Sequence, residues 1–161
     1  MRPAPGRAVT TTALLLLAAC LAPTPFQPAA RDGSDGYRVE RLEQDHFRIR
    51  FAGNEATGPQ QVATSLAYLA AEVTLRNGGD YYVVRNDKLE RATIYDPLGL
   101  PPDYAPRCCL VLDRPGHEYE ASAEIVIYKG KTPADDPAAY DARAVRDALA
   151  SRIRRGRFGI Y

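Results

Sequence analysis

The sequence predicts an α+β fold, a two-layer sandwich with two helices packed on one face of a mostly antiparallel sheet. Three observations carry this. Short stretches alternate apolar and polar residues with a period of two, the mark of strands with one buried face. Two longer stretches space their apolar residues as a helix does. The order reads β-β-α-β-β-β-α with no internal repeat, and two layers are the simplest way to bury all these stripes together.

The first nineteen residues stand apart. Arg2 and Arg7 are their only charges, Leu14 to Leu17 form an apolar centre, and Leu17-Ala18-Ala19-Cys20 follows. A basic start, a short apolar run and small residues at a cut describe a secretory leader. The run is too short to cross a bilayer as a helix, which takes about 20 apolar residues. The placing of Cys20 directly after Ala18-Ala19 resembles the lipobox of bacterial lipoproteins. That resemblance implies cleavage between Ala19 and Cys20, diacylglycerol on the Cys20 sulfur, and usually a further acyl chain such as palmitate on the new amino group. The alternative is an ordinary leader with a chance cysteine. Leu21, rather than the aspartate that retains enterobacterial lipoproteins in the inner membrane, favours the periplasmic face of the outer membrane. Loss of Arg2 and Arg7 lowers the formal charge from +1 to −1, and so balanced a chain is no nucleic-acid binder by its overall field.

The segment 20–36 reads as a lipid anchor followed by a flexible tether, punctuated by Pro23, Pro25, Pro28, Gly33 and Gly36. Fully extended it spans roughly 50 Å at about 3.3 Å per residue. Packing of part of it on the domain, near Phe26, is the alternative. The single domain is expected over 37–161.

Tyr37 to Phe51 reads as a hairpin, because Phe47, Ile49 and Phe51 alternate with His46, Arg48 and Arg50. Glu43-Gln44-Asp45 supplies the turn, and Gly53-Asn54 closes the strand. Thr57 to Arg76 is the better helix, with Val62, Leu66, Leu69 and Val73 at helical spacing among alanines. Thr57 is expected as its N-cap, Pro59 in its first turn and Asn77-Gly78-Gly79 as its stop. A strand over Asp80 to Arg85 returns from it. A Pro-rich loop spans Asp96 to Arg107, preceded by a short strand near Ala92 to Tyr95. Cys108 to Asp113 and His117 to Lys129 read as strands. A last helix, capped by Asp136 with Pro137 in its first turn, carries Tyr140, Ala144, Val145, Ala148, Leu149 and Ile153 on its apolar stripe.

Over most of the mature chain these stretches resemble a family of small lipoproteins of Gram-negative bacteria, mainly alphaproteobacteria, with no assigned activity. The resemblance rests on Thr24-Pro25-Phe26-Gln27-Pro28, Gly36-Tyr37, Phe47 to Asn54, Ala70 to Leu75 with Gly78 or Gly79, and Tyr140-Asp141-Ala142-Arg143, in that order. It implies topology and location and brings no catalytic residue.

Candidate chemistry is thin. Cys108 and Cys109 fit two unpaired buried thiols, since neighbours in a strand point to opposite faces and a vicinal disulfide needs a strained ring. A metal site there has only His46 and His117 to draw on. His117-Glu118 is not the start of a zinc-protease motif, because Ala121 stands where the second histidine belongs. No Ser sits in a G-x-S-x-G turn. Of ten tyrosines, Tyr81, Tyr82, Tyr119 and Tyr128 fall in strands, and Tyr95 and Tyr104 in the Pro-rich loop are the ones placed to meet a ligand. Arg152, Arg154, Arg155 and Arg157 suit either anionic headgroups or the C-terminal end of the last helix. Tyr161 is a terminal aromatic without the alternating strand of a barrel signal. The reading is therefore a non-enzymatic envelope module, binding an envelope protein or polymer or serving a structural role, without cofactor, metal or nucleic-acid partner and held to the membrane through Cys20. The alternative is a small-molecule or catalytic site near the Pro-rich loop 96–107.

Overall fold

The computed structural model describes residues 22–85, 93–94, 110–114 and 118–156, with the backbone alone at 93–94 and 110–114. The expectations for Ala19, Cys20, the 96–107 loop with Tyr104, Tyr95, Cys108, Cys109, His117, Arg157 and Tyr161 lie outside the described residues.

The strands are β1 (Gly36–Arg41), β2 (His46–Ala52), β3 (Tyr81–Arg85), β4 (Thr93–Ile94), β5 (Leu110–Arg114), β6 (Glu118–Tyr128) and β7 (Ala139–Asp141); the helices are α1 (Pro59–Arg76) and α2 (Ala142–Leu149). Every pairing between these strands is antiparallel among the described residues. The fold is α+β, with two helices on one face of the sheet, as the periodicity predicts.

The long strand β6 sets the register. Along one edge it pairs with β2, from His46 opposite Val126 to Ala52 opposite Glu120. Along the other edge it meets two strands in line: β3 over residues 124–128 and β5 over residues 118–122. The chain leaves the edge of β6 at Arg85 opposite Glu124 and returns to that edge at Leu110 opposite Ser122, only two residues along. β3 and β5 thus lie in one strand line along β6, and β4 pairs with β5 on its other side.

Period two then sorts the side chains. Phe47, Ile49 and Phe51 face Ile125, Ala123 and Ala121 on the inner face, and Tyr82 and Val84 join them opposite Ile127 and Ile125. All are buried. The pairing of large with small, Phe51 with Ala121 and Ile49 with Ala123, makes room for the helix, whose Ala63, Ala67, Ala70 and Ala71 are also buried.

The α1 helix is buried on more than the expected stripe: Thr64, Ser65, Tyr68 and Thr74 are covered as well. The buried hydroxyls of Thr64 and Thr74 donate to the carbonyls of Gln60 and Ala70, at 2.7 and 2.8 Å, which spares them an unpaired polar atom. Pro59 lies in the first turn as expected, but the N-cap is Gly58. Thr57 instead accepts the Thr24 N–H (2.8 Å) and donates its hydroxyl proton to Asn54 Oδ1 (2.7 Å). The helix stops at Asn77, with Gly78 at φ +74°.

The last helix begins later than the apolar stripe implies. Asp141, not Asp136, is its cap and accepts the Ala144 N–H at 2.8 Å. Asp136 caps a turn before β7, accepting the Ala138 N–H at 2.9 Å. Tyr140 therefore sits on a strand, directly opposite Tyr82, and the two rings stack at 5.4 Å. Asp80, just before β3, joins three pieces: its carboxylate accepts from the Gly130 N–H and from Arg143, and its carbonyl accepts from the Ala142 N–H.

The largest departure is at the N-terminus. Within the span expected as free tether, Thr24 and Phe26 are buried. Phe26 forms a parallel bridge with Arg155, and Pro28 forms one with Tyr37. The Phe26 N–H donates to the Arg154 carbonyl (2.7 Å), and the Tyr37 N–H to the Gln27 carbonyl (2.8 Å). The Phe26 ring lies 4.8 Å from Tyr37, 6.4 Å from Phe51 and edge-on to Tyr68 at 5.1 Å. The domain thus begins at Thr24 rather than at Tyr37. Prolines suited the extended conformation, and a single phenylalanine supplied the buried area that the rest of the segment lacks.

This placement predicts that Phe26→Ala lowers stability by about 3–5 kcal/mol, the range for a buried aromatic. A free tether predicts no change. Urea unfolding of the soluble domain from residue 22 onward, with and without the substitution, measures the difference.

Candidate interaction surface

The outer face of the sheet carries mostly the polar half of each alternation, apart from the register pair Val83 and Val126, and none of the described helices packs on it. Its centre is a row of charges fixed by register. Glu40, Arg48 and Glu124 lie side by side on β1, β2 and β6. Arg48 holds Glu124 with two nitrogens, Nη2 at 2.7 Å and Nε at 3.1 Å, and reaches Glu40 with Nη1 at 3.2 Å. His46 Nε2 lies 3.3 Å from the other Glu124 oxygen. The hydrogen bond from Arg48 and its charge hold the Glu124 carboxyl below its ordinary range, with a smaller contribution from His46. Arg48 is raised in turn, first by its hydrogen bond to Glu124.

Toward the other end of β2, Arg38 and Arg50 stand directly opposite each other. Like charges so placed repel, and each is neutralised sideways: Arg38 by Asp32, Arg50 by Glu120 at 3.3 Å. On β3 and β6, Tyr81 and Tyr128 are register partners whose rings stack at 5.2 Å. They make an aromatic step on the same face, separated from the charged row by the Val83–Val126 pair.

The residues singled out in the sequence are scattered by this geometry. Tyr82 is wholly buried, which pushes its phenol far above the ordinary value, and Tyr119 packs partly against the core. His46 joins the ion-pair row. The C-terminal arginines do not share a role. Arg152 ends a 3-10 turn at Ala150–Arg152, whereas Arg154 and Arg155 lie beyond it, beside Phe26. Arg155 donates to the hydroxyl of buried Tyr68 at 2.9 Å. The Arg155 guanidinium is thus engaged by α1 rather than by the end of α2. Sequence reasoning missed Tyr68 and Asp80, since each looks ordinary until its distant partner is in place.

Among the described residues no three His, Cys, Asp or Glu side chains converge as a metal site. The narrow space between α1 and the sheet, bounded by Ile49, Leu66, Ala70, Tyr82 and Ile125, is apolar and too small for a water molecule. No described helix is long and apolar enough to cross a membrane. Comparison of the chain with protein-family models, curated proteins and solved structures gives no match.

The acid limb of stability follows from the carboxylates. Glu124 is lowered from 4.5 by Arg48, and Asp80 from 3.8, first by the Gly130 N–H and then by Arg143. A depressed carboxyl stabilises the fold above its unfolded value, and that contribution disappears as pH falls through the folded value. Glu124→Gln is expected to flatten the loss of stability between about pH 5 and pH 3, and to cost less than about 1 kcal/mol at neutral pH, as exposed pairs do. Urea midpoints across that range read both.

Proposed function

We propose that the chain is the precursor of a lipid-anchored envelope protein that acts by binding rather than by catalysis. The observation that carries this is the basic, apolar, Ala18-Ala19-Cys20 start set immediately before a segment built into the fold. In this reading Cys20 carries the lipid, Ala19 and Cys20 flank the cut, and the domain faces the periplasm from the outer membrane. The charged row Glu40–Arg48–Glu124 with the Tyr81–Tyr128 step offers a surface for an envelope protein or polymer. The resemblance to small Gram-negative lipoproteins belongs to the same proposal.

A second reading is favoured by the length of chain between β3 and β5, which end and begin two residues apart along β6. Long loops on rigid scaffolds often carry function, and a small-molecule or catalytic site near 96–107 fits this placement.

Mass spectrometry of the mature protein is expected to find an acylated Cys20 at the N-terminus; an unmodified cysteine or another cut site refutes the anchor. In-cell crosslinking of the full chain, set beside a variant with 86–109 replaced by a short Gly/Ser turn, tests the binding role. A specific crosslinked partner that survives the replacement supports the sheet face. Its loss, with the variant still folded, supports the loop. No specific partner, polymer or self-contact in either form refutes the binding role.

A further inference from the structure

We infer that the domain sits directly on the bilayer, with the end of the molecule formed by Ala22–Thr24 and the 53–58 loop turned toward the headgroups. The inference rests on the Cys20 anchor and is one of chain length. Thr24 is buried at 3% exposure. Its N–H donates to Thr57 Oγ1 at 2.8 Å, and its hydroxyl accepts the Asn54 N–H at 2.9 Å. Even Ala22 is held, since its carbonyl accepts from Asn54 Nδ2 at 2.8 Å. Four residue steps separate Cys20 from Thr24 and two separate it from Ala22. At full extension these reach about 14 Å and about 7 Å.

The lipid on Cys20 lies at headgroup depth when its chains are in the hydrocarbon. A lead of about 7–14 Å leaves no room for a freely swinging domain, whose helix α1 alone is about 27 Å long at 1.5 Å per residue. The direction is also set. The N-terminal end of α1, the Ala52 end of β2 and the Gly36 end of β1 meet at the entry point, because Thr24 bonds Asn54 and Thr57 while Gly36 pairs with Ala52. The Glu43-Gln44-Asp45 turn lies at the far end of the same strands. Charge does not set this orientation: Asp35, whose carboxylate accepts the Thr24 hydroxyl at 3.4 Å, and exposed Glu55 put acidic groups at the entry.

The test places a fluorescent amino acid at Glu55 or at Gln44 of the full chain, made in cells that process lipoproteins. The mature protein is reconstituted in phosphatidylcholine vesicles that carry a quencher on the headgroup. Quenching at position 55 is expected to exceed that at 44 several-fold. Inserting a flexible Gly/Ser stretch of about twelve residues between Leu21 and Ala22 is expected to erase the difference. Equal quenching at both positions in an acylated, folded protein overturns this inference alone. An intact mass without acyl chains overturns the anchor, and this inference with it.

Discussion

The strand β6 is the constraint on which the rest depends. Its eleven residues must find partners on both edges, and they find β2 on one and the broken line of β3 and β5 on the other. Once that register is set, the inner face is apolar and the outer face carries the charged rows, because a shift of one residue would exchange them. The helix α1 can approach only because β6 presents Ala121 and Ala123 to it. The Glu40–Arg48–Glu124 row exists only because Arg48 and Glu124 are register partners.

Much of this was legible in the residues. Alternation at Phe47 to Phe51 and at Ala121 to Ile127 named the buried face correctly, and the Val62–Leu66–Leu69–Val73 spacing named the helix. Boundaries set by a second element were not legible. Tyr140 fits a helical stripe as well as a strand, and only its pairing with Tyr82 decides between them. Thr57 has the side chain of a helix cap, but Thr24 and Asn54 claim its hydroxyl. A local pattern cannot report a competitor that arrives from thirty residues away.

The N-terminal segment shows the same limit more sharply. Its proline and glycine content correctly describes a stretch with no regular structure of its own. Composition says nothing of whether an irregular stretch is free or seated, however, and here one ring decides. Phe26 fills the space between Tyr37, Phe51 and Tyr68, and the backbone follows it into bridges on both sides. The partner of Arg155 was hidden for the same reason, since its bridge to Phe26 brings it to the Tyr68 hydroxyl.

The parallel bridge between Phe26 and Arg155 has a mechanical consequence. Tension applied at the leading end of the segment runs along its length, while its hydrogen bonds to Arg154, Gly156 and Tyr37 lie across it. Those bonds share the load in shear instead of opening one after another. Phe26 and Arg155 are also loaded together, so a pull on the segment before Phe26 is carried into residues 154–156 and, through Arg155 and Tyr68, into the middle of α1. The fold is thereby gripped at its core rather than by a loose thread.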